Sequence, residues 1–142
     1  MNIIITGASS GVGRETAKIL ADIPGNKVIV IARNGMKIQS LSGECNIKRH
    51  ETVVQPIQFD LATGDIDQLA QQINRQFGKI DVLINNAGTI LNKPIGQITA
   101  NEIDNVFDVN VKAPLLLTQA LLPIMNPGAH VDRKSTRLNS SH

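Results

Sequence analysis

Short apolar runs alternate along this chain with amphipathic or polar segments. The runs cover residues 3–5, 28–31, 53–59 and 80–84, and a further run begins at residue 128. A strand that is apolar almost throughout is buried on both faces, which is typical of a parallel sheet covered by helices. The alternation therefore predicts an α/β fold with a doubly wound parallel sheet, strand order 3-2-1-4 and a fifth strand just begun.

Several residues mark where the predicted elements lie. Pro56 cannot donate a hydrogen bond to a neighbouring strand, so we expect the third strand at or near a sheet edge. Thr63 can cap the helix that follows, and Gly78 suits the end of that helix. Thr99 and Glu102 have the spacing of a capping box. The polar stretch after the second strand predicts only a short helix.

Composition excludes several classes of protein. The chain of 142 residues is 42% hydrophobic and 18% charged, as expected for one soluble globular domain. Its formal net charge of +2 comes from the last eleven residues. A charge this small does not indicate a nucleic-acid or membrane partner. The single cysteine, Cys45, cannot form an intrachain disulfide and agrees with a cytoplasmic location. His50, His130 and Cys45 lack metal-ligand spacing, so we expect no metal site.

A glycine-rich segment joins the first predicted strand to the first predicted helix. Residues 6–13 read T-G-A-S-S-G-V-G, with the spacing G-x-x-x-G-x-G. The start of a helix offers unpaired N–H groups and a positive dipole end, and glycine lets a diphosphate approach the backbone. The alternative is an ordinary turn rich in Gly and Ser. We predict that the cofactor-binding residues here are Gly7, Ala8, Ser9, Ser10, Gly11, Val12 and Gly13.

The end of the second strand bears on which cofactor is bound. Folds that select NAD usually place an acidic residue about twenty residues after the glycine motif, where it holds the ribose hydroxyls. This chain has Ala32-Arg33-Asn34 there. No carboxylate would repel a 2′-phosphate, and Arg33 can pair with one through two parallel hydrogen bonds. The pattern predicts NADP(H) in preference to NAD(H), whereas the alternative is a solvated surface arginine.

Four motifs in fixed order resemble those of the short-chain dehydrogenase/reductase family. The glycine motif is followed by Asp60-Leu61 after strand three, by Asn85-Asn86-Ala87-Gly88 after strand four, and by Asn110 in a later helix. The similarity covers residues 2–131 and implies a Rossmann-type fold. It also implies hydride transfer between a nicotinamide cofactor and a small carbonyl or alcohol substrate.

The resemblance implies roles for individual residues. Asp60 would hydrogen-bond the adenine amine with Leu61 beside it, and Asn86, Ala87 and Gly88 would line the adenosine ribose. Asn110 matches the asparagine of the family's catalytic tetrad, which holds a water in a proton relay. The leucine-rich helix after residue 113 would pack in a homodimer or homotetramer interface.

The remaining catalytic groups of the family are a serine, a tyrosine and a lysine, the last two spaced Y-x-x-x-K. This sequence has no tyrosine, so we expect the chain as given to be catalytically incomplete. After Val131 the apolar pattern stops, and residues 132–142 can be read back through codons as a sequencing adapter. We interpret residues 1–131 as an incomplete dinucleotide-binding domain and residues 132–142 as a non-native tail. A non-catalytic NAD(P)-binding module or a pseudoenzyme is the alternative.

Overall fold

A single parallel sheet organises the molecule. The computed structural model describes residues 1–133, and all its strand pairs are parallel, in the order β3-β2-β1-β4-β5. The predicted doubly wound fold is therefore confirmed, and β3 lies at the sheet edge, as Pro56 predicts. The strands are β1 (Asn2–Thr6), β2 (Lys27–Ala32), β3 (Val54–Gln58), β4 (Ile80–Asn85) and β5 (Met125–Arg133).

Helices connect successive strands and cover both faces of the sheet. Between β4 and β5 the chain forms two α-helices joined by a π-helical turn at Asp108–Lys112, and a short 3-10 turn at Leu122–Ile124 follows. Within residues 1–133 no helix combines the length and apolar character needed to cross a membrane. The helices are α1 (Gly11–Ala21), α2 (Gly35–Arg49), α3 (Ile66–Phe77), α4 (Ala100–Phe107) and α5 (Ala113–Leu121).

The sheet separates two apolar cores, because successive side chains of a strand point to opposite faces. In β1, Ile3 and Ile5 pack in the layer of α1 and α2, whereas Ile4 packs in the layer of α3 and α5. All three side chains are buried. Burial on both faces explains why the strands lack an alternating pattern. The sheet is thus packed on both faces, and the loops at the carboxyl ends of its strands lie together at one edge.

The structure corrects two of the predicted helix features. The cap of α3 is Asp65, not Thr63: the Asp65 carboxylate accepts hydrogen bonds from the N–H groups of Asp67 and Gln68 at 3.0 and 3.2 Å. The helix starts later because Gly64 N–H closes a turn on the Asp60 carbonyl at 2.8 Å. By contrast, Gly78 at the end of α3 and the capping box that opens α4 are confirmed.

Helix α2 has 15 residues and is not the short helix that its weak periodicity predicts. Its second half is held by a contact to β3. The Asn46 side chain accepts from the N–H groups of Val53 and Val54 and donates to the Val54 carbonyl, at 2.8 to 3.0 Å. Ser42 donates to the same carbonyl at 2.7 Å. Hydrogen bonds of this kind leave no hydrophobic signal in a sequence.

Strand β5 is longer at both ends than the segment predicted for strand five, residues 128–131. It begins at Met125, three residues before Gly128, and it ends at Arg133. Asp132 pairs with Ile84 and Arg133 pairs with Asn85. The strand therefore includes the first two residues of the segment predicted to be a non-native tail. Its origin stays a prediction, and residues 134–142 lie outside the described part of the chain.

Candidate functional site

A cleft of about 670 Å³ opens where the carboxyl ends of β1 to β4 meet. In open parallel sheets this edge is where ligands bind. The lining includes most of the residues predicted from the sequence, and Asn105 and Val109 close one side. The predicted residues that line the cleft are Gly7, Ser9, Ser10, Gly11, Val12, Arg33, Asp60, Leu61, Asn86, Ala87 and Gly88.

Two glycines in the loop between β1 and α1 are required by close packing. A Cβ atom added to Gly7 would lie 2.6 Å from the Ala87 Cα. One added to Gly13 would lie 2.3 Å from the Asn86 Nδ2 and 2.5 Å from the Gly7 carbonyl oxygen. Gly13 and Ala8 are both buried and do not line the cleft. These two predicted residues therefore shape the loop and do not face a ligand directly.

Thr6 joins this loop to the turn after β4. Its buried hydroxyl accepts hydrogen bonds from the N–H groups of Asn86 and Ala87 at 3.1 and 3.0 Å. In return, the Asn86 amide donates to the Gly7 carbonyl at 3.0 Å. Thr6 is not among the site residues that the sequence predicts. The available signal was a polar side chain at the end of an apolar strand, where an unpaired hydroxyl would be costly.

Arg33 lies exposed at the mouth of the cleft, just after β2. The next residue, Asn34, caps α2: its side chain accepts from the Lys37 N–H at 3.1 Å. From β3, the Gln58 amide donates to the Arg33 carbonyl at 3.1 Å. Gln58 is a second residue absent from the sequence-based predictions, because nothing in the order of residues shows that its side chain reaches the turn that follows β2.

Asp60 lines the same cleft beyond the end of β3. One of its carboxylate oxygens accepts from the Ala62 N–H at 2.8 Å, which fixes the side chain beside Leu61. The preceding Phe59 continues the sheet, since its N–H donates to the Ala32 carbonyl at 3.0 Å. The order of β2 and β3 therefore brings Asp60 and Arg33 to one side of the cleft.

Asn110 lies in the π-helical turn and does not line the cleft. Its side chain binds the backbone of Thr89 twice: the oxygen accepts from the N–H, and the amide nitrogen donates to the carbonyl, both at 2.8 Å. Its own carbonyl accepts from the Arg133 guanidinium. The structure thus places Asn110 against the loop that leaves β4. A role in a proton relay stays a prediction.

Two titratable groups with shifted pKa values, Cys45 and Asp81, do not line the cleft. Burial, and next the nearby Glu44 carboxylate, raises the pKa of the Cys45 thiol, so this cysteine stays protonated and is a poor nucleophile. Hydrogen bonds from the Asn2 N–H and then the Asn126 amide lower the pKa of Asp81, at the other end of β4. In the described part of the chain no three His, Cys, Asp or Glu side chains are grouped as metal ligands would be.

Known proteins are similar to this chain in sequence or in fold. A curated mouse protein, dehydrogenase/reductase SDR family member 7B, is 38% identical over 126 residues, which are 87% of this chain and 39% of that protein. A metagenomic short-chain oxidoreductase solved in complex with NADP is 31% identical with a TM-score of 0.78, over 87% of this chain and 56% of that one. A bulky-bulky ketone specific alcohol dehydrogenase from Comamonas testosteroni is 30% identical with a TM-score of 0.76, over 84% of this chain and 47% of that one.

The chain thus spans between about two fifths and just over half the length of these relatives. The family model described as short chain dehydrogenase matches residues 1–135, nearly the whole chain. The match includes the glycine loop, the turn after β4 and every strand of the sheet. The chain belongs to the short chain dehydrogenase family.

Proposed function

We propose that this chain is the cofactor-binding part of an NADP(H)-dependent oxidoreductase that transfers a hydride between the nicotinamide and a carbonyl or alcohol substrate. One observation carries the proposal. The loop from Gly7 to Gly13 is seated on Asn86 and Ala87 and opens onto a cleft with Arg33 at its mouth. That the metagenomic relative was solved with NADP supports the same reading.

The residues of the cleft fit a dinucleotide. Residues 9–12 would hold the diphosphate at the start of α1, where N–H groups and the helix dipole favour an anion. Arg33 would hold the 2′-phosphate. Asp60 and Leu61 would contact the adenine, and residues 86–88 would contact the adenosine ribose. The bound cofactor supplies or accepts the hydride, and the chain's own residues bind it and orient it.

We expect the 142-residue chain to bind cofactor without turnover. The sequence has no tyrosine, and its three phenylalanines have no proton to donate. The same fact favours a second candidate, a non-catalytic NAD(P)-binding module or pseudoenzyme. Sequencing the source DNA across the Val131 codon, without ligated adapters, distinguishes them. A frame that continues to a serine and a Y-x-x-x-K motif supports the enzyme, and a native stop codon supports the binding module.

Titration with NADPH and with NADH tests the cofactor proposal. Arg33→Ala removes a charge-assisted contact, so we expect the affinity for NADPH to fall about ten- to a hundredfold and that for NADH to stay within about twofold. Arg75→Ala, at the end of α3, is the control and should change neither. A chain that binds neither nucleotide would refute cofactor binding, and equal affinities would refute only the preference for NADP(H).

We further propose a homodimer or homotetramer for the whole protein, in the cytoplasm. Four large apolar side chains at spacings of four residues are exposed along α4, the π-helical turn and α5. An exposed apolar surface of this kind marks a protein contact, and the family resemblance points to a second copy of the chain. The four residues are Ile103, Phe107, Val111 and Leu115.

A further inference from the structure

We propose that Gln58 is a positioning residue for recognition of the cofactor's 2′-phosphate, through the backbone of Arg33. The inference rests on the proposed function and deepens it. Gln58 lies on β3, whereas Arg33 follows the end of β2. Gln58 carries no charge, yet it would govern which of the two cofactors is preferred.

The position of Gln58 follows from the sheet. It is the last residue of β3 and pairs with Ala32, the last residue of β2. Beyond this pair the chain at Arg33 leaves the sheet, and the Gln58 side chain donates from Nε2 to the Arg33 carbonyl at 3.1 Å. The side chain thus holds the backbone of Arg33 at the point where the regular ladder between the strands ends.

Gly35 lies against the amide end of the exposed Gln58 side chain. A Cβ atom added at Gly35 would lie 2.7 Å from the Gln58 Oε1 and 2.9 Å from its Cδ, and its three nearest neighbours all belong to Gln58. Gly35 does not have a positive φ, so its backbone conformation does not require glycine. The small residue leaves room for the Gln58 amide, which lies against the start of α2.

The turn from Arg33 to Lys37 is held from two sides. Arg14 on α1 donates to the Lys37 carbonyl at 3.3 Å and pairs with Glu44 at 3.1 Å. Gln58 holds the other end, next to Arg33. A guanidinium that extends from a fixed backbone loses less freedom when it binds a phosphate than one on a loose turn. Gln58 therefore strengthens 2′-phosphate binding without touching the phosphate.

Two small probes separate this role from a general structural one. Adenosine 2′,5′-bisphosphate carries the 2′-phosphate, and adenosine 5′-monophosphate lacks it. By titration calorimetry of the full chain, Gln58→Ala should weaken the bisphosphate about three- to tenfold, as expected for one hydrogen bond, and leave the monophosphate within about twofold. Gln55→Ala, on the same strand, is the control and should affect neither.

Gly35→Ala gives an independent route to the same effect. It keeps every side chain that can donate a hydrogen bond, displaces the Gln58 amide, and should weaken the bisphosphate by a similar factor. In the Gln58→Ala background the space is empty, so Gly35→Ala should then add nothing. Urea unfolding of each variant checks that the fold is intact.

The outcomes are distinct. Equal weakening of both probes, no change in either, or additive effects of the two substitutions would overturn the role of Gln58 while leaving the proposed function in place. A wild-type chain that binds neither probe would overturn the proposed function and, with it, this inference. Selective and non-additive loss of bisphosphate binding would support it.

Discussion

Thr6 and Asn86 hold the ends of two neighbouring strands together from both sides. The Thr6 hydroxyl accepts from the Asn86 N–H at 3.1 Å, and the Asn86 side chain donates to the carbonyl of Gly7, the residue after Thr6, at 3.0 Å. The two residues are 80 positions apart in the sequence. The conformation of the glycine loop therefore depends on the turn after β4.

Thr6→Val should destabilise the chain and weaken cofactor binding. Valine has nearly the same shape but no hydroxyl, so the partly buried Ala87 N–H loses its partner, at a cost of about 1–2 kcal/mol. Urea unfolding measures the free energy of unfolding, and Thr6→Ser, which keeps the hydroxyl, should retain most of it. Equal stability of the valine and serine variants would show that the hydroxyl contributes nothing.

Gly13→Ala should disrupt the loop, because the new Cβ atom would overlap both the Asn86 amide and the Gly7 carbonyl oxygen. We expect a loss of about 1–3 kcal/mol in the free energy of unfolding, together with loss of nucleotide binding. Gly43→Ala is the matched control in α2, where an added Cβ meets nothing within 4 Å. It should stabilise the chain by about 0.5–1 kcal/mol through helix propensity. The prediction fails if the two variants behave alike.

Asn110→Ala should loosen the loop after β4. The substitution removes both hydrogen bonds to the Thr89 backbone, which we expect to cost about 1–2 kcal/mol. Asn110→Asp can still accept from the Thr89 N–H but cannot donate to the Thr89 carbonyl. It should therefore lose less stability than Asn110→Ala. Asn105→Ala, on the exposed side of α4, should have little effect. Thermal unfolding of the three variants distinguishes these results, and no loss in Asn110→Ala would contradict the structure.

Asp81 should make the stability of the chain depend on pH. Its lowered pKa means that the folded state favours the carboxylate, so the stabilisation is present at neutral pH and is lost as the pH falls through the lowered pKa. Asp81→Asn should therefore cost about 1 kcal/mol at pH 7, and the difference from wild type should shrink near pH 3. Denaturation at both pH values measures it, with Asp104→Asn as the control. A constant difference would exclude this linkage.

Phe107→Glu should weaken self-association, because it places a charge in the exposed apolar stripe of α4 and α5. We expect the dissociation constant to rise about tenfold or more in sedimentation velocity. Ile47→Glu, at an exposed apolar position of α2, should leave association unchanged. A wild-type chain that stays monomeric at high concentration, or equal effects of the two variants, would refute the proposed interface.

The sequence predicts the fold well because its strands bear a strong and local signal. Side chains that are buried on both faces must be apolar, and Ile3 to Ile5 show this directly. The end of α3 at Gly78 and the start of α4 at Thr99 follow from local backbone chemistry. The start of α3 was misplaced because Thr63 and Asp65 are both good caps, and a turn closed on Asp60 decides between them.

By itself, then, the sequence determined the parallel sheet, the place of the glycine loop between β1 and α1, the place of Arg33 just after β2, and the family. Each of these depends on residues close together along the chain or on motifs in fixed order. Only the tertiary structure decided that Thr6 and Asn86 hold the loop, that Gln58 contacts Arg33, and that Gly13 and Ala8 lie beneath the cleft. The physical reason is that these roles arise from contacts between strands, and the distance between two side chains across a sheet is not written in their separation along the chain.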